Sequence, residues 1–174
     1  MNNFEQAIFY GRELLLTGIN NGANGNISFR QKTQIYITRG GSLLSELKKS
    51  DLVKIEAANA SSESPAHKLI YARLPQINAI IHIHSLAAIT VSLKEHKSFI
   101  EPLDLEGKYH FKKIPIITTK LVPGARDLPE KLLNNAKSGA VIVRGHGLFV
   151  LGSSLQECYT RACTVDNICR LLLA

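Results

Sequence analysis

The stretch INAIIHIHS, residues 77–85, is apolar on both faces, as a strand buried inside a sheet would be. Two histidines interrupt it two positions apart, so His82 and His84 leave one face while Ile81 and Ile83 pack into the other. Burying two imidazoles costs free energy unless something compensates, and a divalent metal is a compensation this spacing suits. A strand buried on both sides also needs cover on both sides, and its neighbours in sequence supply it.

Downstream, LAAITVSLKEH reads as a helix. Upstream, Ser64 at an N-cap with Pro65 at the first position opens a helix to about Leu74, which Pro75 ends. Residues 3–17 repeat apolar positions at helical spacing, and Gly18 with the run NNGANG, residues 20–25, stops that helix. NISFR, QIYIT and DLVKIE are strand signals, IPIIT is a further one, and Asp127 with Glu130 has the pattern of a capping box for a helix to about Ala136. AVIVR and LFVLG flank the turn Gly145-His146-Gly147 as paired strands, and a helix from about Ser154 to Leu173 follows. The expected fold class is α/β, a mixed sheet with helices on both faces, in a single domain over residues 1–174.

Hydrophobic residues at 45% and charged residues at 20% are those of an ordinary globular protein. The net charge of +7 suits nucleic acid or a small anionic substrate. Lys and Arg are scattered, with short pairs at Lys48-Lys49 and Lys112-Lys113 and no interleaved aromatic residues, so the small anion is favoured over nucleic acid. No apolar run is long enough to span a membrane, and the first eighteen residues carry Glu5, Arg12 and Glu13 without a cleavage pattern, so the expected location is the cytoplasm. Cys158, Cys163 and Cys169 point about 140° and about 120° apart on one helix, which reads as free thiols.

His146, between two glycines, is by itself either an exposed turn histidine or a third metal ligand; three histidines with one open position is the catalytic zinc pattern, and other divalent transition metals fit imidazole too. Glu63, just before a helix start, is a solvated loop carboxylate or, beside a metal-bound substrate, a proton acceptor. Ser61 and Ser62 at the same helix start suit a phosphate, as do the turns Gly25-Asn26-Ile27-Ser28 and Thr38-Arg39-Gly40-Gly41-Ser42, although ordinary hairpin turns look the same.

In order, GNIS, ITRGG, SSESPAH, HIHS and GHGLFVLG resemble the class II aldolase/adducin family, from about residue 22 onward. The resemblance implies a three-layer α/β/α sandwich with a mixed, largely antiparallel central sheet, and a homotetramer with sites near subunit interfaces. It also implies zinc on His82, His84 and His146, Glu63 as the catalytic acid/base, and a phosphate pocket from Ser61, Ser62, Asn26 and Gly41. The activity it implies is metal-dependent cleavage of a phosphorylated ketose, fuculose-1-phosphate-like, into dihydroxyacetone phosphate and an aldehyde.

His67 matches a family histidine with a supporting role. Arg39 stands where the family has a threonine-proline turn, and the family's aldolases carry a longer tail with a catalytic tyrosine, so Asp104, Glu106 and Tyr109 in the loop 102–109 are candidate acids. The scaffold also serves dehydratases, decarboxylases, epimerases with aspartate in place of Glu63, and the non-catalytic adducin head.

Overall fold

The structure, a computed structural model, describes residues 1–20, 25–120 and 124–174. Most of the NNGANG run therefore lies outside the described residues.

Helix α1 (Asn3–Leu16) starts because Asn2 Oδ1 accepts from the amides of Phe4 and Glu5 while Glu5 returns a carboxylate to the Asn2 amide, and it buries Ala7, Tyr10, Gly11 and Leu14 at helical spacing. Strands β1 (Asn26–Gln31), β2 (Gln34–Thr38) and β3 (Leu52–Lys54) follow. Helix α2 (Ser64–Arg73) leads to β4 (Ala79–Ile83), α3 (Leu86–Lys94), the short β5 (Phe99–Ile100) and α4 (Leu105–His110). The chain then runs through β6 (Ile114–Ile117), α5 (Leu128–Asn135), the hairpin β7 (Ala140–Val143) and β8 (Gly147–Gly152), and α6 (Leu155–Leu173).

The eight strands form one sheet in the order β3-β2-β1-β4-β8-β7-β6-β5, antiparallel at each pairing except the parallel β6–β7. Alternation along the central strands divides the core. Ile81 and Ile83 of β4 with Leu148 and Val150 of β8 face the layer of α1, α3, α4 and α6. Ile80, Phe149 and Leu151 face the layer of α2 and α5. The fold is the α/β sandwich with a mixed, mostly antiparallel sheet and helices on both sides that the sequence led us to expect.

Four local expectations are corrected. Glu63, not Ser64, takes the N-cap of α2, with no side-chain cap bond, so Ser64 is the first helical residue and Pro65 the second. Asp127 does not cap α5 through its side chain; its carboxylate pairs with Lys131 at 2.8 Å instead. Residues 105–110 form a helix rather than a loop, because Asp104 caps it by accepting from the Gly107 amide at 3.1 Å. Of DLVKIE, only Leu52–Lys54 pairs as a strand.

Candidate metal centre

β4 presents His82 on the α2/α5 face at the end of the sheet, 1% exposed, with Phe149 stacked on its ring at a centroid distance of 4.0 Å. Its Nδ1 lies 3.1 Å from the Leu148 carbonyl, which can only accept, so Nδ1 carries the proton and Nε2 keeps its lone pair. His84 follows the last β4 residue, its amide donating to Asn20 Oδ1 at 3.0 Å. His146 stands in the β7–β8 turn, its amide donating to the Val143 carbonyl after Gly145 at φ 68°. The three ring centroids are 4.8 to 4.9 Å apart, and one nitrogen from each ring lies within 4.8 Å of the others.

This donor set fits a divalent metal. His82 Nε2 and His84 Nε2 meet at 3.1 Å, and tetrahedral bonds of zinc to imidazole require a nitrogen separation of about 3.3 Å. Burial first, then its neighbours His146 and His84, drives His82 well below the ordinary imidazole value, and burial likewise lowers His84. Burial thus disfavours protonation of either ring, and neutral imidazoles are the form that ligates a divalent transition metal.

Glu63 is buried beside this cluster. One carboxylate oxygen accepts from Asn26 Nδ2 at 2.8 Å and lies 3.3 Å from His82 Nε2, and the other is 3.3 Å from His146 Nε2. Its position at the N-cap explains this, because the side chain is free to turn into the sheet end instead of bonding the helix. A carboxylate buried against the His82 ring, whose own protonation burial disfavours, calls for a compensating cation, a second argument for metal. Two glycines make the close approach possible. A Cβ at Gly25, where φ is 89°, would stand 2.2 Å from the His82 carbonyl, and one at Gly147 would stand 2.4 Å from the Ile83 carbonyl and 3.1 Å from His82 Cε1.

The structure thus brings His82, His84, His146, Glu63 and Asn26 together. The Asn26 amide is used on Glu63, and its Oδ1 is buried without a partner. Ser61 is buried, its hydroxyl accepting from the Glu63 amide at 3.4 Å, while Ser62 is exposed. The turn bearing Gly41 lies along this segment, since Gly40 donates to the Asn59 carbonyl at 2.9 Å and Ser61 to that of Thr38 at 3.1 Å. Gly41 has φ 77° and open space around it. Ser42 in that turn has a buried hydroxyl without a partner, a feature that only its surroundings identify.

Arg39 is engaged elsewhere, 2.7 Å from Asp51. A backbone hydrogen bond from Lys48, then Arg39, holds that carboxyl below its usual range. Asp104, Glu106 and Tyr109 lie at α4, packed on α6 in the layer opposite α2, and so are not gathered with Glu63 within one chain. A cavity of about 300 Å³ opens beside His84, with Ile19, Leu86, Ala87, Thr90 and Arg170 among its walls.

A mixed sheet carrying three imidazoles and a buried carboxylate at the end of its central strands gives an α/β protein a donor set that could hold a metal ion. Residues 5–173 match the family described as Class II Aldolase and Adducin N-terminal domain, and the chain belongs to that family. It is 32% identical over 158 residues to the L-fuculose phosphate aldolase of Methanocaldococcus jannaschii, covering 87% of this chain and 85% of that one. It is 28% identical over 158 residues to the methylthioribulose-1-phosphate dehydratase of Acidiphilium cryptum, covering 79% and 74%. The crystal structure of L-fuculose-1-phosphate aldolase from Thermus thermophilus superposes with a TM-score of 0.90 at 28% identity, over 98% of this chain and 92% of that chain.

Proposed function

We propose that this chain, as a single domain over residues 1–174, is a class II aldolase that cleaves a phosphorylated ketose of the fuculose-1-phosphate kind into dihydroxyacetone phosphate and an aldehyde. The observation that carries the reading is the Glu63 carboxylate, buried, held by Asn26 and 3.3 Å from two of the three imidazoles. His82, His84 and His146 would hold zinc or another divalent transition metal. When bound, the ion supplies Lewis-acid stabilisation of negative charge developing on the substrate's carbonyl oxygen.

The chain's own residues do the rest. Ser61, Ser62 and the turn at Gly41 take the phosphate through hydroxyl and backbone donors, which fixes the sugar's near end. Asn26 orients Glu63. When the carbon–carbon bond breaks, the hydroxyl of the departing half gives its proton to water as it becomes the aldehyde, and the electron pair stays on the carbon next to the carbonyl. Glu63, having taken a proton from water, delivers it there. In the synthetic direction the same carboxylate removes it. The cavity beside His84 gives the aldehyde half room. Leu86 and Leu93 of α3 and Leu105 and Tyr109 of α4 are exposed apolar side chains on helices flanking α6, which supports association of copies of the chain, a homotetramer in this reading. Buried free thiols such as Cys158 and Cys169 suit the reducing cytoplasm.

A second reading has its own support in the dehydratase relative. Proton removal by Glu63 next to a carbonyl, followed by loss of hydroxide from the neighbouring carbon, would use the same site. One experiment separates them: the metal-loaded protein is given fuculose-1-phosphate and methylthioribulose-1-phosphate, and products are identified. Release of dihydroxyacetone phosphate supports the aldolase, and loss of water supports the dehydratase. Glu63→Gln should lower solvent-deuterium exchange at the α-carbon by about 10²–10⁴-fold while retaining metal, and exchange at the parent rate sinks both readings.

A further inference from the structure

Helix α3 joins two of the three imidazoles. His84 immediately precedes Ser85, the N-cap of α3, and the far end of the helix meets the turn that carries His146. Both ends are pinned. At the first, the buried Ser85 hydroxyl accepts from the Ala88 amide at 3.1 Å and donates to Asp166 Oδ1 at 2.6 Å. The other Asp166 oxygen accepts from Arg170 at 2.6 Å.

At the second end, the Arg144 guanidinium donates to the carbonyls of Ser92, of Glu95 at 2.6 Å and of Lys97 at 3.1 Å. The last carbonyls of a helix lack partners within it, so a cation there both caps the helix and opposes its dipole. Capping alone does not account for the whole arrangement. The Gly145 amide donates to the Ser92 hydroxyl at 3.0 Å, and that hydroxyl donates to the Ile89 carbonyl at 2.7 Å. The turn itself is thereby bonded to the helix. Arg144's own amide is fixed on the sheet by the Ile117 carbonyl at 2.8 Å. Its side chain therefore spans a fixed distance between β7 and the end of α3, and His146 is two residues further on.

We infer that Arg144, with Ser92, is a positioning residue that sets the place of His146 so that its imidazole meets those of His82 and His84. The inference rests on the metal reading of the three histidines. Without the clamp the β7–β8 turn retains its hairpin but loses its registration against α3, leaving a two-histidine grip with a loose third member.

The test uses the full chain stripped of metal and titrated with Co²⁺ against a competing chelator. The visible spectrum reports coordination, and urea unfolding of the metal-free protein reports stability. Arg144→Gln is expected to weaken cobalt binding by about 10–100-fold, the usual effect of removing an outer partner of a metal ligand, and to alter the visible bands. Ser92→Ala should act in the same direction more weakly, and Arg144→Lys should recover part of the loss. Parent-like affinity and spectrum in Arg144→Gln, with only the metal-free stability lowered, would overturn the inference and leave Arg144 a helix cap. Should Arg144→Gln fail to fold, Ser92→Ala decides: weaker cobalt binding with an altered spectrum supports the clamp, and parent-like values overturn it. A parent that takes up no cobalt overturns the metal site and the clamp together.

Discussion

His67 should make the metal-free protein acid-sensitive by a calculable amount. It is fully buried one turn into α2, its Nδ1 2.7 Å from the Ser28 hydroxyl, which in turn lies 2.8 Å from the Tyr71 hydroxyl, while its Nε2 has no partner. Burial pushes the imidazole down to about 3, against the opposing pull of Glu63. In the unfolded chain it titrates near its ordinary value of 6.5. Between those values the unfolded chain binds a proton that the native protein refuses. The native stability is therefore fully present above about pH 6.5 and falls as pH drops towards 3, with a slope approaching about 1.4 kcal/mol per pH unit. From about pH 7 to about pH 4.5 this one side chain removes about 2 to 3 kcal/mol, a large share of an ordinary domain's margin. His67→Gln keeps an acceptor for Ser28 but does not titrate. Urea unfolding followed by circular dichroism in the presence of chelator should show the parent losing that much more stability than the variant over the same interval. Parallel curves for the two proteins would refute the reasoning, because His67 would then take up its proton in the native state or be solvated.

Three further outcomes are expected. Metal content, measured by elemental analysis, should fall to near background in His82→Ala and in His84→Ala, and near-stoichiometric metal in both would remove them from the ligand set. Ser61→Ala combined with Ser62→Ala should raise KM for a phosphorylated ketose far more than for its unphosphorylated analogue, whereas equal effects would confine these serines to the helix start. Gly147→Ala forces a methyl group against the Ile83 carbonyl and His82, so thermal unfolding should reveal a loss of about 1–3 kcal/mol together with weakened metal binding; a parent-like Tm would show that β8 yields there.

The central strand and its histidines were legible because full burial leaves a plain record in INAIIHIHS, where polar groups stand out against an apolar run. The long helices were legible from periodicity. Glu63 was found through resemblance, and its burial could not be read from its neighbours: Ser64 is the better capping residue by type, yet the cap falls one position earlier and frees the carboxylate to meet Asn26, 37 positions away. Helix α4 has six residues and β5 two, too few for a period to declare itself. Arg39 lies in a turn whose glycines suit a phosphate, but its engagement with Asp51 is a contact the turn itself does not announce, and Arg144 gave no signal because its partners lie about fifty residues upstream. Contacts of that kind depend on how strands are ordered, which local pattern does not encode.

The strand order also has a temporal meaning. β8 comes last in sequence among the eight described strands, yet it sits between β4 and β7 in the middle of the sheet. Until residues 147–152 dock, the half-sheets β3-β2-β1-β4 and β7-β6-β5 are separate, each with an open edge where the other should be joined. Closure therefore requires pairing at long sequence separation, a slow step that leaves unpaired edges open to association with other chains. His146 belongs to the same late-arriving hairpin, so the earlier half-sheet offers only His82 and His84. The three imidazoles therefore meet only once β8 stands between β4 and β7.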